Sequence, residues 1–224
     1  MGRYHFVFPQ WSNLLLPGAL IFMMIAPVYV VFVVAYGFSP KTTAVGYMPT
    51  QPIPFSHELH AGQLGIDCRY CHTTVEHAAI AAIPPTQTCM NCHTQIHPES
   101  AKLDPLWESY DTGMPVEWIR VHDLADYSYF DHSAHVNAGV SCVECHGRVD
   151  RMEVVFQQEP LSMSWCLECH RNPTPALRDP HKVTDLGWDF EGRAPGSQER
   201  RDYQLHLQDL NRIQPTQDCS ACHR

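Results

Sequence analysis

Cations are scarce in this chain, and outside one segment so are long aliphatic runs. Lys and Arg number 15 in 224 residues against 24 Asp and Glu, a net charge of −9. Nucleic-acid binding relies on clustered cations to neutralise phosphates, so that class is excluded. There is no glycine-rich phosphate cradle and no Gly-x-Ser-x-Gly elbow, which removes the common nucleotide-binding and serine-hydrolase readings. Beyond Tyr36 the Leu, Ile and Val residues are too dispersed to build a large apolar core of their own. Disorder is excluded as well, because five Trp, nine Tyr and nine Phe accompany a low charge content. Something other than aliphatic side chains must therefore hold the chain together.

The one long apolar run extends from Leu14 to Tyr36, 23 residues without a charge. As a helix it spans roughly 34 Å at about 1.5 Å per residue, enough for a hydrocarbon core about 30 Å thick. Pro17 falls in the first turn, where a missing N–H costs little, and Pro27 is expected to kink the helix. Trp11 before the run and Tyr36, Phe38 and Tyr47 at its far end have the character of interfacial anchors. A cleaved secretory signal is the competing reading. The run is longer than a typical signal core, and Val34-Ala35-Tyr36-Gly37 is a poor cleavage site. Residues 1–13 are thus expected in the cytoplasm and residues 14–36 across the membrane. Arg3 and Lys41 are too few to fix the orientation by charge.

Ten cysteines form five pairs, and a histidine follows each one: Cys68/Cys71/His72, Cys89/Cys92/His93, Cys142/Cys145/His146, Cys166/Cys169/His170 and Cys219/Cys222/His223. With 15 His in the chain, five such coincidences by chance are on the order of one in a million. Zinc knuckles and disulfides do not require a histidine at this offset, and a thioredoxin-type pair occurs singly on a βαβ unit. Cys-x-x-Cys-His is the attachment sequence of c-type haem: two thiols add to the vinyl groups, and the adjacent histidine ligates iron. Five covalent haems are expected. Because this attachment is extracytoplasmic chemistry, residues 41–224 are expected to form a periplasmic domain, with haems I–II in 55–97 and haems III–V in 130–224.

An internal repeat sorts the remaining histidines. Phe55-Ser-His57-Glu-Leu-His60 leads to Cys68, and Phe130-Asp-His132-Ser-Ala-His135 leads to Cys142. Pro85-Thr-Gln-Thr-Cys89 is echoed by Pro215-Thr-Gln-Asp-Cys219. Two histidines at i and i+3 leave one face of a helical turn in somewhat different directions, so they can serve two neighbouring irons. The arrangement resembles the small class III multihaem cytochromes c. That resemblance implies that His57 pairs with His72, His60 with His93, His132 with His146, and His135 with His170. The expected fold is a multihaem cytochrome c: little regular secondary structure, short helices and Pro-rich loops wrapped round five haems, about one per 33 residues, plus the N-terminal transmembrane helix.

His223 has no evident partner. Superposing the repeats sets His77 beside Met152, and Met152 is the preferred sixth ligand for the fifth haem, with Met163, His181 and His206 as outsiders. His5 precedes the anchor and is set aside, and His97 and His122 read as solvated or hydrogen-bonded imidazoles. Arg148, Arg171 and Arg224 adjoin haem-binding sequences and are candidate partners for haem propionates.

The strings IPPTQTCMNCH and EPLSMSWCLECHRNP, with one anchor and five haem sequences, resemble the pentahaem c-type cytochrome subunit of Alternative Complex III. The likeness covers most of residues 40–183, and the segment from Trp188 to Gln214 is less telling. A similar subunit in the menaquinone reductase complex of sulfate reducers carries six haems, and five here favours the first family. The resemblance implies a bacterial inner-membrane quinol:acceptor oxidoreductase. Its partners would be integral quinol-binding subunits, an iron–sulfur subunit, a monohaem cytochrome c subunit, and a soluble carrier or terminal oxidase. No catalytic residue of its own is expected. Two other functions stay open: a multihaem reductase of a small oxyanion, and a free-standing anchored quinol dehydrogenase.

Overall fold

The computed structural model describes residues 8–39 and 44–223. Arg3, His5, Lys41 and Arg224 lie outside the described residues. The chain divides into two compact units, Met1–Thr43 and Ala44–Arg224. In the first, a short 3-10 turn over Gln10–Leu14 runs into α1, Leu15–Gly37. Pro27 sits inside this helix, and α1 is apolar on every side, with Leu16, Phe22, Met24 and Val28 all exposed. A helix apolar all round and covered by nothing within its own unit needs an apolar medium. By length and composition it is a candidate membrane anchor.

The second unit is built from short helices. They are α2 (Cys68–Cys71), α3 (Thr86–His93), α4 (Asp104–Thr112), α5 (His132–Asn137), α6 (Cys142–His146), α7 (Met163–Arg171), α8 (Gln198–Leu210) and α9 (Cys219–Cys222). A π-helical turn over Glu58–Gln63 carries His60. Among the described residues there is no strand, only the isolated bridges Ser128–His223 and Val140–Leu177. Five of the eight helices hold or end in a Cys-x-x-Cys-His sequence.

Protein-only core is scarce, as the composition implies. Nine apolar side chains are buried among the described residues, too few to order a unit of this size without another apolar body. One cluster joins Ile53, Met90 and Leu106, flanked by Trp107 and Trp118. Elsewhere α8 closes over the 174–190 segment: Gln204 Nε2 donates to the carbonyls of Pro175 and Leu177, and the Arg200 guanidinium lies 3.6 Å from the Phe190 ring centroid.

The repeat extends to backbone conformation. Gly65 and Gly139, which link each histidine turn to its cysteines, take φ of +68° and +84°. That region disfavours any residue with a Cβ. At Gly65 an added Cβ meets open space, whereas at Gly139 it collides with the Arg178 carbonyl oxygen. Gly139→Ala is therefore expected to destabilise the protein by roughly 1–3 kcal/mol or more, and Gly65→Ala by less. Denaturant midpoints of the two variants check the difference, and equal midpoints would contradict the steric argument.

Candidate haem sites

Each Cys-x-x-Cys pair sits on a single helical turn, so residues i and i+3 present both sulfurs on one side. That placement is what two thioether bonds to one porphyrin require. The turns start where they do because of their caps. Asp67 Oδ1 accepts from Arg69 N–H at 2.8 Å, Ser141 Oγ from Val143 N–H at 3.4 Å, and Asp218 Oδ1 from Ser220 N–H at 3.0 Å, one residue before the first cysteine in each case. In α7 the cap is Ser162, whose Oγ accepts from Trp165 N–H at 3.4 Å.

Asp67 also carries a pH dependence. Its side-chain hydrogen bonds with Arg69 hold its carboxyl down at about 2, assisted by the Arg69 N–H and Thr184. The folded value lies below the unfolded one, so its stabilisation is present above about pH 4 and is lost as pH falls through about 2. Acid titration of Asp67→Asn beside the parent should show a stability gap near neutrality that closes below about pH 2. A gap unchanged down to pH 1.5 would contradict this.

The histidines are held in the tautomer a metal needs. Nδ1 of His72 donates to the Ala82 carbonyl (2.8 Å), His93 to Ile96 (3.0 Å), His170 to Thr216 (2.6 Å) and His223 to Tyr127 (3.1 Å). In the repeats, Nδ1 of His60 donates to Ser56 (2.8 Å), His132 to Ala79 (2.8 Å) and His135 to Asp131 (2.7 Å). A proton fixed on Nδ1 leaves the Nε2 lone pair free to ligate and raises the basicity of the ring. The two phenylalanines of the repeat repeat their packing. Phe55 lies 4.8 Å edge-on to His57 and 4.4 Å stacked on His60, and Phe130 has the same distances to His132 and His135.

The ring separations test whether a haem iron fits. A histidine nitrogen binds a first-row ion at about 2.0 Å, so two rings on opposite sides of one ion have centroids ~6.3 Å apart. The structure places His60 and His93 6.2 Å apart, His132 and His146 6.4 Å, and His135 and His170 6.0 Å. These three pairs fit an iron between them. His57 lies near His72: burial first, then His72 and His60, pull its basicity down to about 4, which keeps it neutral and able to ligate. His57 and Cys68 also line one cavity of about 380 Å³, so a side chain able to ligate and an attachment sulfur border the same space.

Two histidines depart from the pattern. His57 Nδ1 is buried without a partner, and His146 Nδ1 donates to no carbonyl among the described residues. Against His146 lies His122, edge-on at 4.3 Å, half-buried and with Nε2 unpartnered. Burial pulls the basicity of His122 down. The expectation there is a solvated or hydrogen-bonded imidazole; the structure instead leaves Nε2 shielded from water and unpartnered among the described residues. No spacing in the sequence marks that contact.

For the fifth site, the structure gives Met152 and His223 different neighbours. Met152 is buried beside the first repeat, where its carbonyl accepts from Glu58 N–H at 3.0 Å and Glu153 takes the Ser56 hydroxyl. His223 lies along 127–129, with Tyr129 N–H donating to the Cys222 carbonyl at 2.8 Å. His77, His97, His181, His206 and Met163 are exposed. Arg148 binds Asp150 through Nε (2.8 Å) and Nη2 (2.5 Å) at the edge of the His57 cavity, and Arg171 is exposed.

Residues 128–224 match the family described as cytochrome c7 and related cytochrome c. The chain is similar to the multihaem c-type cytochromes. The matched stretch holds the second histidine repeat and three of the five haem-binding sequences, and a cytochrome c7-type segment implies covalently bound c-type haem. The multihaem cytochrome c subunit of menaquinone reductase from Nitratidesulfovibrio vulgaris is 32% identical over 126 residues, 54% of this chain and 58% of that protein. The chain thus spans less than two thirds of that relative. By its name that relative is a multihaem cytochrome c subunit of a menaquinone reductase.

Proposed function

We propose that this chain is a membrane-anchored pentahaem electron-transfer subunit of a quinol-oxidising complex of the Alternative Complex III type. It passes electrons to a periplasmic cytochrome c or a terminal oxidase. The three histidine pairs set 6.0–6.4 Å apart carry the reading, because six-coordinate irons relay electrons and offer no open position to a substrate. In it the proximal ligands are His72, His93, His146, His170 and His223, and His57, His60, His132 and His135 stand opposite the first four. Bound c-type haem supplies one-electron chemistry. The protein's part is to fix each imidazole through Nδ1, hold paired sulfurs on one helical turn, and bring the sites together. The haem unit lies on the periplasmic side of the inner membrane, beside integral quinol-binding, iron–sulfur and monohaem cytochrome c subunits.

The relative's name puts it in a complex acting on menaquinone, which supports a quinone-linked partner. The likeness of IPPTQTCMNCH and EPLSMSWCLECHRNP to the Alternative Complex III subunit supports quinol oxidation as the direction. Mild-detergent purification should bring the chain out with large integral subunits, and added quinol should reduce its haems. A lone subunit that quinol reduces directly would instead support the free-standing dehydrogenase.

A second reading rests on the fifth site. Among the described residues no imidazole ring stands opposite His223, and the neighbours of Met152 do not support its pairing there. A five-coordinate fifth iron would suit a reductase of a small oxyanion. Carbon monoxide binding to the reduced native protein tests this. The electron-relay reading predicts none at the four sites whose irons stand between two histidines, and binding of one equivalent at the fifth would favour the reductase.

A further inference from the structure

We infer that the five haem-binding sequences are strung in space in the order second, first, third, fourth, fifth, with the second and fifth at the two ends. This rests on the axial assignments proposed above and deepens them, because chain order alone would put the first at one end. Four junctions carry it, each made by side chains or backbone of this protein.

The second and first sequences share one histidine turn. His60 faces His93 at 6.2 Å, while His57, three residues earlier, borders the same cavity as Cys68. Asn91, between the second pair of cysteines, donates to the hydroxyl of Tyr70, between the first, at 3.2 Å. The first and third are clasped by two consecutive residues. Val183 carbonyl accepts from Ser141 Oγ (2.6 Å) and from Cys142 N–H (3.4 Å), and Thr184 Oγ1 donates to Asp67 Oδ2 at 2.9 Å. Ser141 and Asp67 are the residues just before the two cysteine turns, so the two turns begin side by side. Ala79, just past the first sequence, also accepts from the backbone and the ring of His132 at 3.1 and 2.8 Å.

The third and fourth share α5, which presents His132 to His146 and His135 to His170. The fourth and fifth join through His170, whose Nδ1 donates at 2.6 Å to the carbonyl of Thr216, three residues before Cys219. The fifth also runs along Ser128 and Tyr129, next to Phe130, which stacks on His135. Exposure agrees with the order. Cys92 and Cys219 are the two exposed cysteines, and they belong to the two sequences with a single neighbour. Donor and acceptor proteins would then meet the chain at opposite ends, near His93 and near His223.

The test uses full-length holoprotein in detergent, reduced stepwise with dithionite and followed by NMR of the haem methyl resonances. Overhauser contacts to the residues of each Cys-x-x-Cys-His sequence assign them. Reduction of one centre disfavours reduction of its neighbours, and this falls with distance. The expected result is a larger interaction between first and third than between second and third, and a larger one between fourth and fifth than between first and fifth. A second–third interaction exceeding first–third, or a first–fifth exceeding fourth–fifth, overturns the order. Dithionite reaches every centre without quinol, so failure of quinol reduction leaves the order standing. A reordered pattern in turn leaves the quinol reading untouched.

Discussion

Replacing Cys142 and Cys145 by alanine is expected to abolish folding of residues 44–224, whereas the same change at Cys219 and Cys222 should leave a folded protein. The third sequence begins at Ser141, whose side chain is 1% exposed, and packs beside Leu177 and Val183, at 0% and 1%. It also meets the first sequence through Val183 and the fourth through α5. With so little protein-only core, a macrocycle at this junction replaces side chains the sequence does not provide. At ~25 cal/mol per Å², burying roughly 400 Å² of porphyrin contributes on the order of 10 kcal/mol, as much as the whole stability of a typical domain. The fifth sequence, with exposed Cys219, is a terminal appendage by comparison. Protease resistance and haem content of the two double variants check this. A protease-resistant C142A/C145A protein would show that the polypeptide supplies its own core.

His132→Met should raise the midpoint potential of the third site on the order of 100 mV or more, because a thioether favours the reduced iron relative to imidazole. His132 is well placed for the substitution. Its ring lies 6.4 Å from His146 and within 10° of parallel, and its backbone stays anchored by Ala79 and the Asp131 cap. Spectroelectrochemical titration should show one component moved and the remaining ones nearly fixed. Near-infrared magnetic circular dichroism should gain an imidazole–thioether band. The same change at the exposed His77 should alter neither spectrum. An unchanged titration for His132→Met would remove His132 from the ligand set.

Much of this architecture can be read from residue order. Cys-x-x-Cys demands a helical turn, and each of the five pairs lies on one. The poverty in aliphatic runs predicts short helices and few strands, and among the described residues the helices are short and there is no strand. The uncharged run from Leu14 to Tyr36 matches α1 within one residue. What escapes the sequence depends on tertiary contact. Val183 and Thr184 clasp two haem sequences across more than forty residues of chain, and nothing in their type announces it. The packing of His122 on His146 is equally silent in sequence. The longest helix of the second unit, α8, is hidden by its Arg, Asp and Gln content. Its buried face consists of Gln204 and Leu207, satisfied by carbonyls and by Arg–aromatic stacking rather than by a hydrophobic stripe.

Intact-mass spectrometry of the mature protein decides the central claim most directly. The polypeptide alone weighs 25.5 kDa. Five thioether-linked haems add ~616 Da each, about 3.1 kDa together, and survive acid–acetone extraction. A single species carrying five additions is expected. The bare polypeptide mass, or a ladder ending below five, would contradict the account.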